Sequence, residues 1–335
     1  MSKPRLLIDP ERITVNARKV VETGRRHGIE VMGVTKGVAG DPVVARAMLA
    51  GGIASLGDSR LENIDRMRAA GIDAPITLLR SPAPSDLSEV VRLADASLHS
   101  SADVIEALSI EARLQPKPHG VTIMVDLHTG REGLPPDRVP AVCRRVQALP
   151  GLRFDGLGAY FHMASAVDFQ MDALRRLVEL AGNVAAETGR PVGRISGGSS
   201  VILRAIAVEG RPNPGIGELR IGTAVLLGFA ASIDPVTIEG LERDTFVLRA
   251  EVIEVKPGGS GEALLALGKV ETDPQFLFPM NPGVRVREAS SDHLMVRMES
   301  PPRVGDWVSF RLGYPALCRL MASPYVRVEH TRIRN

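Results

Sequence analysis

Cysteine is almost missing from this chain of 335 residues: only Cys143 and Cys318 occur, far apart and outside any CxxC pair. That excludes a disulfide scaffold and a cysteine zinc site, and it fits a reducing compartment. No apolar run approaches the roughly 18 residues of a membrane span, and the start MSKPRLLIDPERI lacks the apolar core of a signal peptide. A soluble, cytoplasmic protein with no membrane partner is expected. Net charge is scarce too, since 41 basic and 39 acidic side chains leave +2, and no basic run is interleaved with aromatics, so nucleic acid is not an expected partner. A small molecule is. Lysine is the last scarcity: thirty-five of the basic residues are arginine. Arginine stays charged at any workable pH and cannot serve as a nucleophilic amine. Any lysine chemistry therefore falls on Lys3, Lys19, Lys36, Lys117, Lys256 or Lys269.

What is present is enough apolar sequence, 44%, for one large domain or two ordinary ones. From about residue 30 to 225, short apolar runs alternate with segments of helical period. Eight candidate strands begin near residues 31, 53, 75, 96, 121, 154, 193 and 218. Eight parallel units predict a closed (β/α)8 barrel of the TIM type; an open doubly wound sheet is the alternative, and the eighth strand favours the barrel. Asp41-Pro42 and Ser59 with Glu62 read as helix starts, the latter as a capping box, and 168–188 as the longest helix. After residue 240 alternating β-branched segments, broken by PGGSGE, NPG and ESPPRVGD, predict a smaller all-β domain. The expected division is 1–28, a strand and helix partly joining the C-terminal sheet, then a barrel over 29–235 and a β-domain over 236–335.

Lys36 alone among the six lysines ends an apolar strand, at what would be the barrel's catalytic mouth. Partial desolvation there would lower its pKa and make it a Schiff-base amine; the competing reading is a lysine that snorkels outward at a strand end. Barrels commonly bind phosphate at the loops after strands seven and eight. The run Ser196–Ser200 (SGGSS) follows strand seven, with glycine amides and the hydroxyls of Ser199 and Ser200 available, and Gly222 and Thr223 follow strand eight. An ordinary glycine turn with a serine cap is the plainer reading of SGGSS. Aldehyde capture and phosphate binding across one mouth together specify pyridoxal 5'-phosphate (PLP). Arg220, in strand eight, could face that mouth and meet a ring nitrogen or a carboxylate; otherwise it is an exposed strand-end arginine.

The segments GVTKGVAGDP, LGDSRLENIDRMR, VDLHTGREG, ISGGSS, GELRIGTAVLLG and SSDH together resemble the alanine/ornithine racemase group of fold-type III PLP enzymes over nearly the whole chain. The resemblance implies a PLP-dependent amino-acid racemase with the cofactor on Lys36, its phosphate held by Ser199, Ser200 and Gly222, and Arg220 facing the pyridine nitrogen. It also implies His162, from GAYFHMASA, against the cofactor ring, Arg131 near the substrate carboxylate, and a head-to-tail homodimer in which His293 of SSDH reaches the other subunit's substrate. A core or capping histidine is the competing reading of His162.

The chain departs from that pattern where alanine racemases carry a tyrosine base opposite the lysine: PGGSGEALLALG has none. Racemisation needs an acid/base on each face. The second is left among Tyr314, Tyr325, His293, Asp292 and Cys318, or nothing. Two other functions stay open. One is a metal-assisted PLP aldolase or dehydratase of D-3-hydroxy amino acids, hinted at by Asp292-His293 although Met295 stands where a second ligand is expected, so no metal ligand is assigned. The other is a non-catalytic PLP-binding protein.

Overall fold

A computed structural model describes residues 3–162, 165–230, 237–257 and 261–333. The expected boundary at 235/236, two residues of GAYFHMASA and the centre of PGGSGE lie outside the described residues. The chain divides into two compact units, one made of Met1–Asn16, Gly37–Ala39 and Thr223–Asn335, the other of Ala17–Lys36 and Gly40–Gly222.

The chain begins with β1 (Arg5–Ile8) and α1 (Pro10–Arg26). The second unit is the barrel. Its strands are β2 (Glu30–Val34), β3 (Ser55–Asp58), β4 (Ile76–Leu78), β5 (Ala96–His99), β6 (His119–Val125), β7 (Leu152–Ala159), β8 (Arg194–Gly197) and β9 (Glu218–Ile221). They pair in parallel in that order, and β9 closes on β2 with Arg220 opposite Met32. All eight expected strands are present, so the open-sheet alternative falls. Between them run α2 (Pro42–Ala50), α3 (Leu61–Ala69), α4 (Leu87–Leu93), α5 (Ala102–Ala112), α6 (Val139–Ala148), α7 (Val167–Thr188) and α8 (Ser200–Ala207).

Local chemistry sets the borders. Asp41 caps α2, its Oδ1 accepting from Val43 N at 2.9 Å and Val44 N at 3.0 Å, and α7 is the longest helix at 22 residues. The capping box read from Ser59 and Glu62 is not formed. Asp58, at the end of β3, turns its Oδ1 back to accept from Ser59 N at 2.7 Å and Arg60 N at 3.0 Å. The amide that Glu62 would have capped is thereby taken, and Arg60 stands at the N-cap with no side-chain cap bond.

The other unit contains α9 (Thr223–Leu227), β10 (Phe246–Val255), β11 (Glu262–Leu265), β12 (Leu277–Pro279), β13 (Val284–Ala289), β14 (Leu294–Met298), β15 (Trp307–Leu312), α10 (Tyr314–Ala322) and β16 (Arg327–His330). Its sheet runs β12-β15-β10-β11-β14-β13, and β1 joins it antiparallel to β10 and parallel to β16. Leu6 and Ile8 of β1 are fully buried. The β-rich domain expected after residue 240 is present, with the helix α10 set between β15 and β16. Among the described residues no helix is long and apolar enough to cross a membrane.

Candidate active site

Active sites of such barrels form where the strands end, and most of the expected site residues emerge there. Lys36 opens a 3-10 turn, Lys36–Val38, one residue past β2. Its side chain is exposed, which differs from the part-desolvated lysine the sequence suggests.

Arg220 does point inward. It is half-buried; its Nη1 donates to Ser196 Oγ at 3.1 Å and its Nη2 to the Ala159 carbonyl. Burial pulls its pKa below the usual arginine range, Glu218 and Glu132 oppose that by charge, and Arg131 reinforces it. Arg220 thus senses the loop after β6. That loop is shaped by Asp126, whose Oδ1 accepts from Thr129 N at 2.7 Å, Thr129 Oγ1 at 3.0 Å and Gly130 N at 3.2 Å. Burial raises this carboxyl's pKa, but those bonds outweigh it and hold Asp126 below the usual carboxylate range.

From the same loop Arg131 pairs with Glu132 and lays its guanidinium on the Tyr160 ring, Cζ 3.1 Å from the centroid. Tyr160 meets His162 edge to face, with centroids 5.4 Å apart. Arg131 and His162 are therefore brought together through Tyr160, which the sequence reading passed over as a site residue. A signal existed: two residues apart at the end of a strand, Tyr160 and His162 point to the same side.

The SGGSS run takes both of its possible roles. Ser199 is the N-cap of α8, its Oγ accepting from Val201 N at 3.3 Å, and buried Ser200 opens the helix. Gly198 has φ +87°, and a Cβ there would lie 2.7 Å from Ile202, so packing demands glycine independently of any ligand. Gly222 follows the last residue of β9 and Thr223 opens α9.

In the other unit, His293 is exposed at the β13–β14 hairpin, where its N–H donates to Ser290 Oγ at 3.1 Å. Tyr314 opens α10, and its ring lies on Gly37: a Cβ on Gly37 would be 2.6 Å from Tyr314 Cε2 and 2.9 Å from its hydroxyl. Gly37 follows Lys36 in sequence. Among the described residues no three of His, Cys, Asp and Glu are grouped to hold a metal.

PLP needs an amine for its aldehyde, donors for its phosphate and a partner for its ring nitrogen. The donor set fits. Lys36 supplies an accessible amine, α8 begins with a capping serine where a helix dipole favours an anion, and the five N–H donors of Arg220 exceed its two contacts.

Known proteins point the same way. The family model described as "Alanine racemase, N-terminal domain" matches residues 8–228. A lysine racemase of Thermotoga maritima is 34% identical, over 97% of this chain and 98% of its own length. An ornithine racemase of Acetoanaerobium sticklandii is 28% identical, over 97% and 99%. The solved alanine racemase from D-cycloserine-producing Streptomyces lavendulae shares the fold at a TM-score of 0.80, with 18% identity over 100% of this chain and 98% of that one. The chain belongs to the alanine racemase family, and so to the fold-type III amino-acid racemases that depend on PLP.

Proposed function

We propose that this protein racemises a basic amino acid of the lysine or ornithine kind. The near full-length likeness to two racemases of such substrates carries the reading. Bound PLP acidifies the Cα–H of the amino acid attached to it. Lys36 holds the cofactor and moves the Cα proton on one face, and Arg131 binds the substrate carboxylate. Ser199, Ser200, Gly222 and Thr223 hold the phosphate, and His162 lies against the cofactor ring. Arg220 keeps the ring nitrogen unprotonated, because a guanidinium does not readily release its proton. Tyr314 is the acid/base for the opposite face, a choice favoured by its ring lying on the residue that follows Lys36. His293 serves the other subunit in a head-to-tail dimer.

The test is incubation with single L- and D-amino acids in deuterium oxide, followed by chiral chromatography and mass measurement. Lysine or ornithine should racemise fastest and take deuterium at Cα. Deuterium uptake with full retention of configuration for every amino acid would overturn racemisation. Release of glycine and an aldehyde from a D-3-hydroxy amino acid, abolished by a chelator, would replace it with the metal-assisted reading.

A further inference from the structure

The turn that carries Lys36 is tied on both flanks to one buried carboxylate. On its N-terminal flank, Thr35 is fully buried; its N–H donates to Gly57 O at 3.0 Å and its Oγ1 to Asp58 Oδ2 at 2.7 Å. On its C-terminal flank, Gly40 N donates back to Thr35 O at 3.3 Å. Gly40, at φ +63°, packs so closely on Asn63 that a Cβ would lie 2.7 Å from the Asn63 carbonyl oxygen. Asn63 in turn donates its Nδ2 to Asp58 Oδ1 at 2.9 Å. The two backbone bonds from Ser59 and Arg60 complete the set, so Asp58, itself fully buried, accepts four hydrogen bonds.

The turn is also strained. Ala39 has φ +50°, a left-handed conformation that residues with a Cβ adopt at a cost. Such a conformation persists where its surroundings over-determine it, and strain of this kind gathers at functional sites. Within the turn only Lys36 is exposed, Gly37 and Val38 being buried, and a lysine side chain on a backbone that was not held would sample many directions, at an entropy cost whenever one is required.

We propose that Asp58 is a positioning residue for Lys36: through Thr35 on one side and Asn63 with Gly40 on the other, it fixes the turn from which the amine reaches PLP. This rests on the reading of Lys36 as the cofactor's lysine. Asp58 does no chemistry itself. It replaces a capping box for α3 and braces the neighbouring strand end with the same oxygens, which explains why a carboxylate ends up buried there.

The test uses the whole protein, stripped of PLP and then mixed with it. Thr35→Val keeps the shape but leaves Asp58 Oδ2 without its donor. PLP uptake, followed by visible absorbance, should slow about tenfold, the scale of one unmade buried hydrogen bond. The pH midpoint of that absorbance should shift, because it reports the orientation of the lysine–cofactor bond. Thr35→Ser should restore both. Asn63→Ala, which leaves Asp58 two backbone donors and Thr35, should act in the same direction by about threefold and covers the case in which Thr35→Val does not fold. Loss of thermal stability with unchanged uptake and an unmoved midpoint would reduce Asp58 to a structural brace and overturn the proposal. Lys36→Ala separates the two readings. If borohydride still traps PLP on a lysine of that variant, the assignment of Lys36 fails. If trapping is lost while Thr35→Val and Asn63→Ala behave as wild type, only the role of Asp58 fails.

Discussion

Arg131 shows how one contact decides what a side chain can do. A guanidinium over an aromatic ring gains about 0.5–2 kcal/mol, and with one Nη2 donor on Glu132 it has further edge donors for a planar acceptor such as a carboxylate. The Tyr160 ring, not its hydroxyl, makes this contact. Tyr160→Phe should therefore leave KM for the amino acid within about twofold, whereas Tyr160→Leu should raise it about tenfold with a smaller change in kcat, in line with one lost cation–π contact. Equal kinetics for the Phe and Leu variants would show that the stack does not hold Arg131 for substrate. Arg131 is legible in the sequence as one residue of VDLHTGREG. Its partner is 29 positions further on, and only the closure of β6 on β7 brings the two loops together.

Among the elements, β5 and β6 hold a pair of histidines that no feature of the sequence marks. Ser97 Oγ lies 2.7 Å from the Nε2 of both His99 and His119, and all three residues are buried. Burial pushes His99 down to about 3, helped by the charge of His119. Burial also pushes His119 down to about 4, against the opposing pull of Asp155. Both rings are neutral in the folded chain at neutral pH, while the unfolded chain protonates them near 6.5. The unfolded state therefore binds more protons as pH falls through 6.5. The stability the neutral pair confers is complete above that pH and declines towards 4 and then 3, by roughly 1 kcal/mol per pH unit for each ring. The thermal midpoint should fall between pH 7 and 5, and the double variant His99→Gln, His119→Gln should flatten that slope. An unchanged slope in the double variant would mean that other groups control acid stability. The barrel strands themselves were readable, because each is a short apolar run between polar helices. The start of α3 was not: Ser59 has the residue type of a cap, but an aspartate buried at the preceding strand end takes the Ser59 amide that Glu62 would have capped, and the Arg60 amide with it.

At the scale of the molecule, the two units are not consecutive in sequence. Residues 1–16 belong with 223–335, and β1 forms backbone pairs on both sides, with β10 and β16. Leu6 is fully buried. Truncating it to alanine should cost about 2–5 kcal/mol, and the cost should fall on the C-terminal sheet. Hydrogen exchange should speed up in β10 and β16 while amides of β4 to β6 keep their protection. Loosening of the barrel strands first would contradict this division.

The sequence by itself determined the repeating strand–helix units, the closed barrel, the following β-domain, the family and the cofactor. These depend on periodicity and on short motifs, and both survive as local patterns. It also reduced lysine chemistry to six candidates, from which position singled out Lys36. Tertiary structure decided what surrounds those residues. It exposed Lys36 where partial burial was expected, turned Arg220 inward onto Ser196 and Ala159, placed the Tyr314 ring on Gly37, and joined Thr35 to Asn63 through Asp58. The physical reason is the range of the forces: propensity and patterning act over a few residues, whereas burial, charge and hydrogen-bond satisfaction depend on neighbours that only chain closure supplies.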